Sequence, residues 1–345
     1  MRKCFLVSYN GLSNSGGVEK VCNYLFEIIN DKCFEIVLID SEVINNTPYG
    51  KFYKMLFNKI HIIAFTFFSS LYIAIKRKKG DIKIAHGFNS PFFKTDFLFI
   101  HGTMRGYAEG IGINNTNLGS KLLIWLERTA TRNADVILSV SQNAIDEVRK
   151  YYTKTISKYF IVNNGVDDKV FYPIEKGNKE EKIVILFCGR LDYGKGVYDI
   201  LQLAKNIENK NKYKLSIACN NSNNIELFNG LNNTSIHVGL TTDKMNEFYN
   251  SGDIMYFPSK YEGFEMVTLE ALSAGVPVIG NDIGAISELV KHNDPGVSLI
   301  NTEDIFTQID NICNKYKSEK IFLHEYYKSH YGIELYKDKI LKIIS

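Results

Sequence analysis

The chain has 345 residues, 45% of them hydrophobic and 23% charged, with a net charge of +3 at neutral pH. This is ordinary globular composition, too long for one ordinary domain and too mildly basic to imply nucleic-acid binding. Two domains of roughly 150 residues each are the expectation, with no nucleic-acid partner. From the N-terminus, strands are expected over Cys4–Ser8, Glu35–Ile39, Ile82–Ala85, Phe97–Ile100, Val136–Val140 and Tyr159–Val162. Helices are expected between them over Val18–Asn30, Phe57–Lys76, Leu118–Arg132 and Asn143–Tyr152. A turn-rich segment, Asn163 to Asp168 and then Glu175 to Lys182, has the composition of a linker. The alternation restarts with strands over Ile183–Cys188, Lys214–Ala218, Ser235–Val238, Ile254–Phe257 and Val276–Gly280. Its helices are expected over Val197–Ile207, Thr242–Asn250, Val267–Ala274 and Ile286–Val290. Strand–helix alternation of this kind predicts an α/β fold with two Rossmann-like halves, each a parallel sheet covered by helices.

The first apolar stretch breaks at Tyr9-Asn10-Gly11, too early for the apolar core of a signal peptide. The longest apolar run, Ile60 to Ile75, carries His61, Ser69 and Ser70 and ends in Lys76-Arg77-Lys78-Lys79. It falls short of the ~20 residues a spanning helix needs, so it is expected to dock on a sheet. Its basic end also suits an anionic lipid surface. The six cysteines (Cys4, Cys22, Cys33, Cys188, Cys219 and Cys313) form no CxxC pair and read as free, buried thiols of a reducing compartment. The seven scattered histidines form no HExxH, which argues against a zinc site.

In open α/β sheets ligands bind beyond the carboxyl ends of the strands, so the strand-to-helix loops are where chemistry is expected. The loop Asn10 to Glu19 contains Gly16-Gly17 before a helix and would let backbone N–H groups approach a phosphate. It matches neither GxGxxG nor the P-loop pattern, and a plain tight turn is the alternative. At the end of the first strand of the second half, Gly189-Arg190-Leu191-Asp192-Tyr193-Gly194-Lys195-Gly196 brings two cations together, which suits a diphosphate. The alternative there is a solvated charged turn. The segment Tyr261 to Leu272 follows another strand and opens a helix. N–H groups near Met266, Val267 and Thr268 would face an anion. Glu262 and Glu270 stand up to about 12 Å apart along a helix, too far for one acid–base dyad. They fit better as two anchors along an extended, hydroxyl-bearing ligand, although Glu270 also reads as a surface helix residue. His101 lies at a further strand end, where a structural histidine is an equal alternative; His86 is similar.

Gly16-Gly17-Val18-Glu19, Asn164-Gly165-Val166-Asp167, Gly189-Arg190-Leu191 with Lys195-Gly196, and Glu262-Gly263-Phe264 through Glu270-Ala271 resemble glycosyltransferase family 4, in the family's order and spacing. The Glu262…Glu270 pair followed by Ala274-Gly275-Val276-Pro277-Val278-Ile279 is the most specific part. The resemblance implies a GT-B fold, two Rossmann-like domains facing across a cleft. The acceptor-binding domain would span residues 1–168 and the nucleotide-sugar-binding domain 169–325, with 326–345 a return helix packing on the first domain. It implies a retaining glycosyltransferase that moves a sugar from a nucleoside diphosphate donor, UDP being favoured over GDP by family frequency, to a glycan or lipid-linked glycan in bacterial surface polysaccharide or lipopolysaccharide synthesis. In that reading Arg190 and Lys195 neutralise the diphosphate, Glu270 holds the ribose hydroxyls and Glu262 contacts the transferred sugar. Gly16 and Gly17 close over the phosphates, His101 faces the donor sugar, and Leu240 and Thr241 neighbour the base. Gly263, Phe264, Glu265, Met266 and Val267 complete the donor surface. No cofactor or metal is implied, because cationic side chains carry the leaving-group charge. The implied mechanism is front-face displacement, the acceptor hydroxyl attacking on the side the diphosphate leaves, giving an α-linkage.

The family often has glycine or proline after Phe264, where this chain has Glu265; that carboxylate would either select the sugar or point to solvent. The implied location is cytoplasmic, with peripheral contact at the cytoplasmic face of the inner membrane. Two alternatives share the fold: a nucleotide-sugar epimerase and a non-catalytic partner subunit. Oligomeric state is not legible in these motifs.

Overall fold

The computed structural model describes residues 2–13, 16–30, 34–48, 50, 61–113, 117–153, 158–174, 182–301 and 303–344. The chain divides into two compact units, Met1–Asn164 with Tyr336–Ser345, and Gly165–Leu335.

The first unit holds a parallel sheet of β1 (Arg2–Val7), β2 (Phe34–Ile39), β3 (Ile82–His86), β4 (Thr95–Ile100), β5 (Ala134–Ser139) and β6 (Tyr159–Ile161), in spatial order β2-β1-β3-β4-β5-β6. Between the strands run α1 (Gly17–Asn30), α2 (Ser41–Asn45), α3 (His61–Lys76), α4 (Met104–Gly110), α5 (Leu118–Arg132) and α6 (Gln142–Tyr151). Side chains that accept a bond from the first turn start several of them: Asp40 for α2, Thr103 for α4, Asn117 for α5 and Ser141 for α6. The long apolar run forms α3, and Phe65 and Ile73 enter the core with Phe5, Val7, Leu98, Ile100 and Ile137. Each such fully buried side chain contributes about 1.5–3 kcal/mol. The serines in the run are satisfied internally: Ser69 donates to the Asn89 carbonyl at 2.7 Å, and Ser70 bonds Ser90 at 3.1 Å. The expected residues 57–60 of this helix lie outside the described residues. No helix among the described residues is long and apolar enough to cross a membrane.

The second unit repeats the plan with β7 (Ile183–Cys188), β8 (Tyr213–Cys219), β9 (Thr234–Val238), β10 (Ile254–Phe257), β11 (Val278–Gly280) and β12 (Val297–Leu299), all parallel, in order β12-β11-β10-β7-β8-β9. Its helices are α7 (Val197–Glu208), α8 (Thr242–Ser251), α9 (Met266–Ser273), α10 (Gly284–Lys291), α11 (Ile305–Tyr316) and α12 (Lys320–Tyr331). The strand expected from Val276 begins at Val278, beyond Pro277, which has no N–H to give a ladder.

The segment read as a linker is partly structured. Val166 is buried, its N–H donates to the Tyr331 carbonyl, and its own carbonyl accepts from Ile333. The expected linker residues 175–181 lie outside the described residues. The final helix, α13 (Ile333–Ile344), groups with the first unit from Tyr336 onward. There Lys337 pairs with Glu27 at 3.6 Å and Tyr336 packs edge-on against Tyr24. Residues 326–335, expected to pack on the first domain, group instead with the second unit. The reason is local: Tyr326 and Tyr331 both donate to the Asp294 carboxylate, and Tyr327 donates to the Pro295 carbonyl.

Cys4, Cys22, Cys188, Cys219 and Cys313 form no disulfide with one another; Cys188 and Cys313 are only half-buried, unlike the other three, and Cys33 lies outside the described residues.

Candidate active site

Each sheet reverses its winding order once, between β1 and β3 in the first unit and between β7 and β10 in the second. A doubly wound sheet opens a crevice at such a switch point, past the strands' carboxyl ends. Arg190, Lys195, Glu262 and Glu270 lie on the segments that leave β7 and β10 and His101 follows β4, whereas Leu240 and Thr241 follow the edge strand β9.

At the β7/β10 switch, β7 ends at Cys188 and the chain turns through Gly189 to Arg190 and Asp192. Asp192 organises this turn. One carboxylate oxygen accepts from the Arg190 Nε at 2.8 Å, and the other accepts from the Lys195 backbone N–H at 2.9 Å, capping a 3-10 turn over Tyr193–Lys195. Arg190 is therefore neither buried nor loose: its side chain is 58% exposed and braced by Asp192. Gly196 has φ +77°, and a Cβ there would meet the Pro258 carbonyl oxygen at 2.4 Å, so only glycine allows this turn to sit against the end of β10. The Gly194 carbonyl accepts from the Lys260 N–H across the same contact. This seats the Lys195 ammonium against Glu262 in an ion pair whose side chains are only 19% and 11% exposed. The Phe257 ring lies 5.5 Å from that ammonium. An ammonium has three donors, so Lys195 can hold Glu262 and a phosphate oxygen together.

Glu262-Gly263-Phe264 leads into α9. Glu270 lies on this helix only 2% exposed, and accepts from the Tyr249 hydroxyl at 2.8 Å. The surface-residue alternative for Glu270 is thereby excluded. Burial, with Cys188 and Glu270 adding, raises the Tyr249 pKa well above its ordinary value, so Tyr249 remains a donor to Glu270. Leu240 and Thr241 follow β9, Leu240 half-buried and Thr241 exposed ahead of α8.

Glu265 departs from one of the two expectations for it, the solvent-facing one. It is 7% exposed and does not point to solvent. One oxygen accepts from the Ala285 N–H at 2.8 Å, at the start of α10, and the other from the Thr268 hydroxyl at 2.9 Å. The carboxylate thus ties α9 to α10. Gly284, at φ +53°, makes room for it: a Cβ there would meet a Glu265 oxygen at 2.3 Å and the Glu262 Cβ at 2.6 Å. Burial, with the Glu262 charge adding, pushes the Glu265 carboxyl up to about 7 from an ordinary 4.5. The native state therefore keeps a proton that the unfolded chain has lost between about pH 4.5 and 7. The stability this group contributes is full below that window and is lost as pH rises through it. We expect Glu265→Gln to flatten the decline in unfolding free energy, measured by urea titration, on raising the pH through this window, by up to about 3 kcal/mol. An unchanged slope would place the titration elsewhere.

At the β1/β3 switch, His86 ends β3 and His101 follows β4. His86 Nδ1 and His101 Nε2 lie 2.9 Å apart with their rings stacked. Burial pushes His101 down to about 4 and, with the His101 charge adding, lowers His86 well below its ordinary value, so both rings are neutral. Because Nε2 of His101 is committed to His86, Nδ1 is the atom it can offer a ligand. Both line a cavity of about 290 Å³ with Tyr9, Asn10, Phe88 and Glu127. Glu127 is buried and accepts from the Met104 N–H and the Tyr152 hydroxyl; burial pushes it up to about 7. Gly16 and Gly17 stand at the start of α1, and a Cβ at Gly17 would meet nothing, so its backbone is open to approach. The loop residues 14 and 15 lie outside the described residues.

Asp192, Tyr249, Gly284 and the His86–His101 pairing carry no role in the motif reading. Asp192 had a signal, an Asp at the start of a tight turn. The others depend on residues far apart in sequence.

Residues 16–170 match the family model of Glycosyltransferase Family 4, and residues 182–315 that of glycosyl transferases group 1. A glycosyltransferase of Methanocaldococcus jannaschii, itself uncharacterised, is 26% identical over 57% of this chain and 54% of its own. The chain spans about half the length of the curated relatives it first matches. Among solved structures, a sucrose-phosphate synthase from Thermosynechococcus elongatus aligns over 100% of this chain and 98% of its own, with TM-score 0.75 at 15% identity. WaaG, a glycosyltransferase involved in lipopolysaccharide biosynthesis, aligns over 99% of each chain, with TM-score 0.70 at 15% identity. With two parallel six-stranded sheets and these two domains in succession, the chain belongs to the glycosyltransferases of GT-B fold, its first part a Glycosyltransferase Family 4 domain.

Proposed function

We propose that the protein is a retaining glycosyltransferase that takes a sugar from a nucleoside diphosphate, UDP first among the candidates, and passes it to a glycan or lipid-linked glycan. The observation that carries this reading is the β7/β10 switch point, where Lys195 and Glu262 pair beside Arg190 and the buried Glu270 lies on the following helix. Cations suit a departing diphosphate, and carboxylates suit sugar hydroxyls. Arg190 and Lys195 stabilise the leaving diphosphate, Glu270 holds the ribose and Glu262 the transferred sugar; by the family resemblance, His101 serves the donor sugar through Nδ1. The acceptor hydroxyl attacks on the face the phosphate leaves, and its proton passes to that phosphate. The charge carried by the two side chains does the work a metal would otherwise do, so activity is expected to persist in chelator. Lipopolysaccharide or related surface-glycan synthesis at the cytoplasmic face of a membrane is the setting, by similarity to WaaG.

Incubation with UDP-sugars and GDP-sugars, with and without glycan acceptors, tests this by nucleotide release. Release that depends on acceptor, with a new α-linkage, is the expected result. Conversion of donor to an epimer without acceptor would replace the reading with an epimerase.

A further inference from the structure

The cavity at the β1/β3 switch has a polar atom in its wall that the fold leaves unsatisfied. His86 lines it at only 2% exposure, and its Nε2 meets no hydrogen-bond partner among the described residues. Burying such an atom without a partner costs stability, so an orphan beside a cavity marks a place where a ligand completes the bond. The ring is held where it is. It packs against Phe99 with centroids 5.3 Å apart and against His101 at 5.2 Å, and its Nδ1 shares a hydrogen bond with His101 Nε2 at 2.9 Å.

That shared bond fixes what the pair can offer. Both rings are neutral, so each carries one N–H and one lone pair. If His86 donates through Nδ1, its Nε2 is an acceptor and His101 Nδ1 is a donor. If His101 donates through Nε2, the two outer atoms exchange roles. In either arrangement the pair presents one donor, one acceptor and no charge. A hydroxyl both donates and accepts, so it satisfies His86 Nε2 in both arrangements; an anionic phosphate oxygen only accepts, and satisfies it in one.

The rest of the wall agrees. Val18, Ile62 and Phe88 give it apolar surface. Its acids, Glu19 and, when ionised, Glu127, repel a phosphate. No lysine or arginine lines it among the described residues. A few polar atoms placed in an otherwise apolar wall are what orients a small ligand.

We propose that His86 is a hydroxyl-binding residue of an acceptor subsite in the first unit, and that the acceptor group entering this cavity is an uncharged sugar rather than a sugar phosphate. His86 Nε2 holds an acceptor hydroxyl, while His101 Nδ1 stays with the donor sugar. The acceptor role rests on the transferase reading above; the hydroxyl subsite rests on the orphaned nitrogen and the neutral pair.

The full chain, isotopically labelled at its histidine nitrogens, is titrated with methyl glycosides of glucose, galactose and N-acetylglucosamine and with phosphate esters of the same sugars, with and without saturating UDP. At least one neutral glycoside is expected to move the His86 ring resonances, and its phosphate ester to bind more weakly. His86→Asn keeps an amide where Nδ1 faces His101 and removes the Nε2 end. It should weaken glycoside binding about threefold to tenfold, the scale of one uncharged hydrogen bond, with UDP affinity unchanged. His86→Gln, whose amide reaches the Nε2 position, should recover part of that loss, which a merely structural role would not produce. No response of His86 to any glycoside, tighter binding of a phosphate ester than of its neutral counterpart, or wild-type glycoside affinity in His86→Asn overturns the proposal. Glycoside binding at His86 by a chain that binds neither UDP nor GDP would contradict the transferase reading and not the subsite. UDP binding without a glycoside response at His86 would contradict the subsite alone.

Discussion

Lys195→Ala is expected to lower kcat/KM for sugar transfer by about 10²–10³-fold, the loss seen when one preorganised donor to a developing negative charge is removed. The structure explains why this side chain is placed so firmly. The turn that carries it is capped by Asp192 and fits against β10 only because residue 196 is glycine. The ammonium meets Glu262 with the Phe257 ring nearby. Removing the ammonium leaves Glu262 without its cation in a site where it is 11% exposed. The variant therefore loses a leaving-group contact and also disturbs the carboxylate proposed to hold the transferred sugar. Lys195→Arg separates the two effects: it restores the charge but not the compact fit, and partial recovery of kcat is expected. Full activity in Lys195→Ala, measured by nucleotide release, would remove this residue from the chemistry.

Glu270→Gln is the second large effect, and here the structure changes the choice of variant. Alanine would leave the buried Tyr249 hydroxyl without its acceptor, at a stability cost of about 1–3 kcal/mol unrelated to catalysis. Glutamine keeps an oxygen for Tyr249 and removes only the charge. Hydrogen bonds from ribose hydroxyls to a carboxylate contribute about 1.5–3 kcal/mol each, so KM for the donor should rise about tenfold to a hundredfold with kcat less affected. If kcat fell and KM held, Glu270 would act on the transition state rather than on the nucleoside. A thermal unfolding midpoint close to wild type is the accompanying control.

The strands were legible because buried parallel strands read as short apolar runs between turn residues. Ile183–Cys188 and Ile254–Phe257 lie where those runs place them. The three-residue strand Val297–Leu299 is too short for such a signal. The motif residues of the second unit, Arg190, Lys195, Glu262 and Glu270, were legible as types at strand ends, and the β7/β10 switch point collects them. Their partners were not. Nothing local to Glu265 announces the Ala285 N–H, twenty positions on, or the left-handed Gly284 that admits the carboxylate. The residue singled out as a departure from its family proves to be a tie between two helices. Similarly, the residues of α5 read only as a helical stretch, and only the fold separates buried Leu126 from exposed Leu122 and Trp125. Periodicity ranks helix faces by pattern, and α5 has apolar residues on both.

The central claim is that the carboxyl edge of the second sheet captures a nucleoside diphosphate through Arg190, Lys195 and Glu270. Calorimetric titration of UDP and GDP into the wild-type chain, Lys195→Ala and Glu270→Gln tests it most directly. The account predicts a one-to-one complex with at least one of the two nucleotides, weakened about tenfold or more in each variant. Absence of binding to either nucleotide by the wild type, or equal affinity in all three proteins, would contradict it.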